Sequence, residues 1–218
     1  MKMRPLPFRP TVSEISIEEA GSIRGLEAVI SYWTEDNCTA GEWFREVLSF
    51  WGSAGLAMRR GEEVLGFAVY GPQQCLPRAG RYPLRPLGED APLLAYLKGD
   101  VRTRRYLLVR AMRNLKLRGF GGVEAITSDL GLPWHIPTQF LLGSGWKPVR
   151  RGLSAGCPYT LMRADFGSTV EVGELARELV GRVKLPVLKA PAPGTPASAQ
   201  VSALAPAGGS LAGGRTQE

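Results

Sequence analysis

The stretches FLLGSGWKPVRRG (residues 140–152) and PYTLMRADF (158–166) close the ordered-looking part of the chain. Residues 134–146 carry a short helix that ends near Gly143, because two glycines and a serine follow within three positions. Beyond it, KPVRRG and PYTLMRADF are two strands, each rich in residues that suit a pleated surface. A short helix followed by two strands at the end of a domain implies a sheet that finishes antiparallel.

Working backwards, GGVEAITSD (121–129) is another strand, and before it stands GDVRTRRYLLVRAMRNLKLRG (99–119). Leu108, Ala111, Met112 and Leu115 recur at i, i+3, i+4 and i+7, so LLVRAMRNLKLRG is a helix with a committed apolar stripe. The strand APLLAYLK (91–98) precedes it, and GDVRTRR is read as the basic turn between the two. AGLAMRRGEEVLGFAVYGP (54–72) is a hairpin around RRGEE, and a loop rich in Pro, Arg and Gly runs from Gln73 to Asp90. TVSEISI is a short strand, and EEAGSIRGLEAVISYW a helix weakened by glycine. TAGEWFREVLSFWGS is an amphipathic helix, with Trp43, Val47, Phe50 and Trp51 on one face.

The order is thus β, α, α, β, β, β, α, β, α, β, β. STVEVGELARELVGRV (168–183) adds a helix opened by Ser168 with Glu171 three residues on, a capping box. From about Ala190 the chain is almost wholly Ala, Pro, Gly and Ser, which cannot bury enough apolar surface to order, so a disordered tail is expected. Domain bounds of 1–166, 167–189 and 190–218 follow.

The 218 residues are 44% hydrophobic, enough for one core. No apolar run reaches the length of a membrane span, and the N-terminus lacks the apolar stretch of a signal peptide. Three widely spaced cysteines, Cys38, Cys75 and Cys157, and one histidine, His135, argue against a disulfide framework or a metal site. A cytoplasmic location is expected. The net charge of +7 is concentrated: Lys98 to Arg118 holds eight basic residues against one acid, Asp100. A local field of that sign favours phosphate-bearing ligands, a nucleotide-like cofactor or a nucleic acid, or is a solvated helix face.

FLLGSGWKPVRRG followed by YTLMRADF resembles the C-terminal signature of the GNAT acyltransferases, in which a short helix ends in a phrase like F-Y-x-x-x-G-F and two strands follow. The resemblance spans residues 10 to 166 and implies an α/β fold of α+β type: a mixed, mostly antiparallel sheet with helices on both faces. It also implies acetyl-CoA as co-substrate, no metal, and direct attack of an amine on the thioester. The family's opening between its fourth and fifth strands receives the pantetheine arm, and the turn after the fourth strand wraps the pyrophosphate. Carried onto this chain, those groups are Leu97, Lys98, Gly99, Val101, Arg102, Arg104 and Arg105. The catalytic candidates are Glu124 and Asp129 as bases and Tyr106 as acid, with Ser144 a second candidate acid.

Two departures qualify what the resemblance implies. GDVR resembles the P-x-Y-R that opens the family's turn, but both glycines of the following G-x-G are absent. Either about three residues are missing or Arg102 and Arg104 occupy the glycine positions. A side-chain phosphate clamp, a vestigial site and a nucleic-acid surface all fit such a segment. Counting back from Gly145-Trp146, the position of the family's proton-donating tyrosine is held by Leu141, with Trp134 and Pro137 where asparagine and alanine are common. The acyltransferase reading therefore stands beside two others: a non-catalytic relative binding acyl-CoA or a protein, and a basic nucleic-acid-binding module. For Glu124 the bland role is an ion pair with an arginine; for Asp129 it is a cap on the turn before GLPW. His135 could accept a proton, and Tyr32, Trp33, Trp43 and Trp51 could line an acceptor pocket or simply fill the core.

Overall fold

A computed structural model describes residues 9–36, 38–84, 88 and 91–167. The helix expected over 168–183 and the expected tail lie outside them.

Eight strands form one sheet, in the order β1-β2-β3-β4-β5-β8-β7 with β6 alongside β5. The strands are β1 (Thr11–Glu14), β2 (Gly55–Arg60), β3 (Glu63–Gly71), β4 (Leu93–Lys98), β5 (Gly122–Ser128), β6 (Ile136–Pro137), β7 (Lys147–Ser154) and β8 (Cys157–Asp165). The helices are α1 (Ile17–Ala20), α2 (Leu26–Thr34), α3 (Ala40–Trp51), α4 (Val101–Leu117) and α5 (Thr138–Leu142). All strand pairs are antiparallel except β4–β5 and β5–β6.

Both faces of the sheet are covered, so its central strands are apolar on both sides. On one face Trp33, Phe44 and Val47 of α2 and α3 pack with Phe67, Val69, Ile126 and Leu161. On the other, Leu107, Leu108, Ala111 and Leu115 of α4 and Leu141 of α5 pack with Ala68, Tyr70, Ala125 and Met162. Each fully buried Val, Leu, Ile, Phe or Met among them contributes about 1.5–3 kcal/mol by leaving water. Phe67 and Ala68, adjacent in β3, thus serve opposite cores, as the period of two requires.

The helix expected over EEAGSIRGLEAVISYW is divided. α1 ends at Ala20, and α2 starts only after Gly25, whose φ of 85° no helix accommodates. The expected face of α3 also differs: Trp43, Phe44 and Val47 are buried, whereas Phe50 is 53% exposed. A capping box between Thr39 and Glu42 fixes the start of that helix.

The largest difference lies at GDVRTRR. Only Gly99 and Asp100 separate β4 from α4, so Arg102, Arg104 and Arg105 are helical rather than part of a turn. The exposed side of α4 carries Arg102, Arg105, Arg110, Arg113 and Lys116, and no acid stands among them. At the sheet's end, β7 pairs only with β8 among the described residues, with a register shift between Pro148 and Arg150. Lys147, Arg150 and Arg151 are exposed along it. No described helix is long and apolar enough to cross a membrane, and among the described residues no His, Cys, Asp and Glu group is placed to hold a metal ion.

Candidate functional site

β4 and β5 run parallel but do not stay together. Their ladder is a single pair, Leu93 with Glu124, supported by the Glu124 amide donating to the Pro92 carbonyl at 3.0 Å. The cause is in β4. Val69 pairs with Tyr96 and Tyr70 with Leu94, which leaves Ala95 as an extra residue. Ala95 and Tyr96 consequently lie on the same face, where a regular strand would alternate. A bulge of this kind bends its strand and increases the local twist. Beyond it β5 takes β6 as partner, Thr127 with Ile136 and Ser128 with Pro137. Leu94 to Lys98 thereby present a backbone edge that no ladder pair with β5 occupies among the described residues.

That edge leads to the amino end of α4. Gly99 has φ of 128°, and a Cβ there would sit 2.7 Å from Thr103 Cγ2, so the position requires glycine. Asp100 is the N-cap, its Oδ1 accepting from the Thr103 amide at 2.6 Å. The hydrogen bond from that amide, ahead of the Thr103 side chain and Arg102, holds the Asp100 carboxyl below its ordinary range. The helix thus supplies its own anion at the place where a ligand anion would otherwise gain from the exposed amides.

The expected cofactor-binding residues divide in two. Leu97 is buried in the core beneath α4, and Lys98 donates to the Arg24 carbonyl at 2.6 Å on the opposite face. Val101, Arg102 and Arg105 are exposed at the start of α4. Arg104 is half-buried, its guanidinium carbon 4.9 Å from the centroid of the Phe140 ring, and its Nε is buried with no hydrogen-bond partner among the described residues. Arg104 also acts on Tyr96 of β4, whose phenol burial pushes up and the guanidinium draws down. Arg104 is therefore the arginine that joins the helix start to the diverging strands.

The catalytic candidates are dispersed. Glu124 is buried at the closed end of the divergence. One of its oxygens accepts from the Gly88 amide at 2.9 Å and the other from Arg163 at 3.2 Å. Asp129 Oδ1 accepts from the hydroxyls of Thr138 at 2.5 Å and Thr160 at 2.8 Å, tying α5 to β8. The turn before GLPW is held instead by Ser128, whose hydroxyl accepts from the Leu132 amide. Tyr106 is 40% exposed on α4. Leu141 is fully buried, and the Ser144 hydroxyl donates back to the Phe140 carbonyl.

An aromatic cluster gathers beside β6. Tyr32 of α2, Tyr82 and His135 form a hydrogen-bonded chain: hydroxyl to hydroxyl at 2.7 Å, then hydroxyl to Nε2 at 2.7 Å. His135 Nδ1 lies 2.9 Å from the Pro133 carbonyl. The rings of Tyr32, Trp33, Tyr82 and Tyr159 surround the imidazole at 4.9–5.5 Å. Trp134, at φ of 65°, places its ring 6.4 Å from both Tyr32 and Tyr96, which links the cluster to the free edge of β4. Of the aromatic residues considered for an acceptor pocket, Tyr32 and the fully buried Trp33 belong to this cluster. Trp43 is core, and Trp51 lies beneath Arg118. Tyr82 carried no signal of its own in the sequence beyond standing in a long loop.

No family model and no curated protein matches the sequence. Solved structures do match the fold. A GNAT-family protein of Desulfovibrio desulfuricans is 18% identical with a TM-score of 0.50, covering 72% of this chain and 99% of that one. The yncA protein of Salmonella typhimurium, solved with its cofactor acetyl-CoA, is 12% identical with a TM-score of 0.54, covering 74% and 96%. A ribosomal-protein-alanine N-acetyltransferase of Brucella melitensis is 14% identical with a TM-score of 0.52, covering 72% and 99%. The chain has the GNAT fold, in divergent form.

Proposed function

We propose that the chain is an acyl-CoA-dependent N-acyltransferase whose acyl carrier lies along β4 with its phosphates at the start of α4. The observation that carries the reading is the divergence of β4 and β5 at the Ala95 bulge, which among the described residues leaves Leu94 to Lys98 without a β5 partner and leads to a basic helix terminus. The buried, unpartnered Nε of Arg104 at that terminus fits an anionic group. The structural similarity to yncA, which was solved with acetyl-CoA, supports the same carrier.

The residues divide the work as follows. The backbone of Leu94 to Lys98 pairs with the amide-bearing arm of the carrier, as a strand would. Arg104, with Arg102 and Arg105 at the surface, binds phosphate through guanidinium forks in place of a glycine cradle. The carrier supplies an activated thioester carbonyl and a thiolate leaving group. A thiol is a far stronger acid than an alcohol, so its thiolate leaves without being protonated first; transfer does not depend on a strong acid, and Leu141 supplies none. The amine's proton must still be accepted by the chain.

A second reading, an acyl-CoA-binding protein without turnover, is favoured by one observation. Leu141 faces the core where the family resemblance puts a tyrosine.

Titration calorimetry of acetyl-CoA and free CoA into the full chain tests the carrier site. Binding on the order of micromolar that weakens in Arg104→Ala supports the clamp. No heat at about millimolar ligand overturns both readings.

A further inference from the structure

Among the described residues the Tyr32–Tyr82–His135 chain is a three-membered line of titratable groups, and its direction is fixed by its inner end. The Pro133 carbonyl can only accept, so Nδ1 of the neutral imidazole carries the hydrogen and Nε2 presents a lone pair. The Tyr82 hydroxyl therefore donates to Nε2, and its oxygen accepts from the Tyr32 hydroxyl. What remains at the outer end is a lone pair on the Tyr32 oxygen. Every hydrogen along the line points inward, so the chain is set to take up a proton at Tyr32 and hold it on His135.

We propose that Tyr32, Tyr82 and His135 form a proton relay that accepts the proton of the attacking amine and returns it along the same line to solvent once the products have left. This rests on the acyltransferase reading above. When the amine nitrogen commits its lone pair to the new C–N bond, its N–H becomes acidic. That proton passes to the Tyr32 oxygen, the Tyr32 hydrogen to the Tyr82 oxygen, and the Tyr82 hydrogen to Nε2. The C–S bond breaks with its electron pair on sulfur, and no oxidant or reductant is needed. Tyr32 meets the substrate; Tyr82 and His135 act through it.

The setting supports the assignment. Tyr32 is half-buried and its ring neighbours Trp134, which in turn neighbours Tyr96 on the free edge of β4. His135 is 4% exposed, and burial lowers its basicity, with Arg78 adding to that effect and the Pro133 hydrogen bond opposing it. The resting ring is therefore neutral and free to accept near neutral pH. The charged and titratable groups shown to act on it are Tyr32 from α2, Arg78 and Tyr82 from the loop after β3, and Tyr159 from β8. Glu35 is paired with Arg78 at 3.3 Å and Arg81 at 2.6 Å, so Tyr82 is the group that meets Nε2.

The test uses the full chain, in which His135 is the single histidine, so ring nitrogen-15 spectra need no assignment. Nδ1 is expected as the hydrogen-bearing nitrogen and Nε2 as the bare one; the opposite tautomer overturns the relay. Thiol release from acetyl-CoA with ethylamine then gives the kinetic arm. In the wild type kcat should break at the His135 pKa that the spectra report. Tyr82→Phe should lower kcat on the order of a hundredfold and abolish that break, with KM for acetyl-CoA unchanged. Tyr32→Phe, at a more exposed position, should do the same and guards against misfolding of the first variant. Binding and turnover that neither substitution alters overturn the relay alone, and binding without turnover in the wild type overturns its catalytic role. A wild type that binds no acetyl-CoA overturns the acyltransferase reading and the catalytic assignment with it, while the tautomer still reports the direction of the chain.

Discussion

Arg104 lies over the Phe140 ring, 4.9 Å from its centroid, with Nε buried and unpartnered among the described residues. A guanidinium nitrogen withdrawn from water without a partner costs stability in the free protein. Arg104→Gln is therefore expected to leave the thermal midpoint unchanged or higher, while acetyl-CoA affinity falls about tenfold, the worth of one charge-assisted hydrogen bond. Paired calorimetry and thermal melts check both halves.

Asp100 competes for the same helix terminus. Asp100→Asn keeps a side-chain oxygen for the Thr103 amide and removes the negative charge. Acetyl-CoA should then bind several-fold more tightly at low salt, with the gain shrinking as salt screens it. Equal affinity in the two proteins across a salt series would show that the phosphates bind elsewhere.

Gly99 holds φ at 128° with Thr103 Cγ2 packed where a side chain would begin. Gly99→Ala should destabilise the fold by about 1–3 kcal/mol. Urea denaturation reads this directly, and Thr103→Ser, which removes the crowding methyl, should return part of the loss.

Glu124 is buried with both oxygens engaged, by Gly88 and by Arg163. Glu124→Ala removes the acceptor and leaves those donors behind, at a cost on the order of 3 kcal/mol. A stability loss well under 1 kcal/mol in chemical denaturation would mean that water replaces the carboxylate.

Burial lowers the His135 pKa in the fold, so below the ordinary value of about 6.5 the unfolded chain binds the proton more readily. Its contribution to stability is complete above that value and is lost as pH falls through the folded value. Urea midpoints between about pH 8 and 5 should decline through this window in the wild type. In His135→Gln the decline should flatten.

The antiparallel end of the sheet was legible in FLLGSGWKPVRRG and PYTLMRADF because helix stop, turn and strand signals are all local. The apolar stripe of α4 was legible for the same reason. Where α4 begins was not: Arg102 and Arg104 suit a loop or a helix equally, and Asp100, a favoured N-cap, is equally at home in a turn, so only the backbone angles show which it is. The site was only partly legible. Glu124 appeared as a candidate base or an ion pair, and distances across the sheet favour the pair. Tyr32 and His135 were visible as residues but not as neighbours. Tyr82, which joins them, stands 50 positions from one and 53 from the other, a separation that no sequence pattern encodes.

β7 ends the sheet with Lys147, Arg150 and Arg151 along it and a register shift in its middle. Pro148 offers that border no amide, and the shift beside it breaks the regular spacing that a further strand would pair with. A second copy of the chain therefore finds no even ladder to extend along β7, and strand addition there is opposed by backbone shape, whatever the salt.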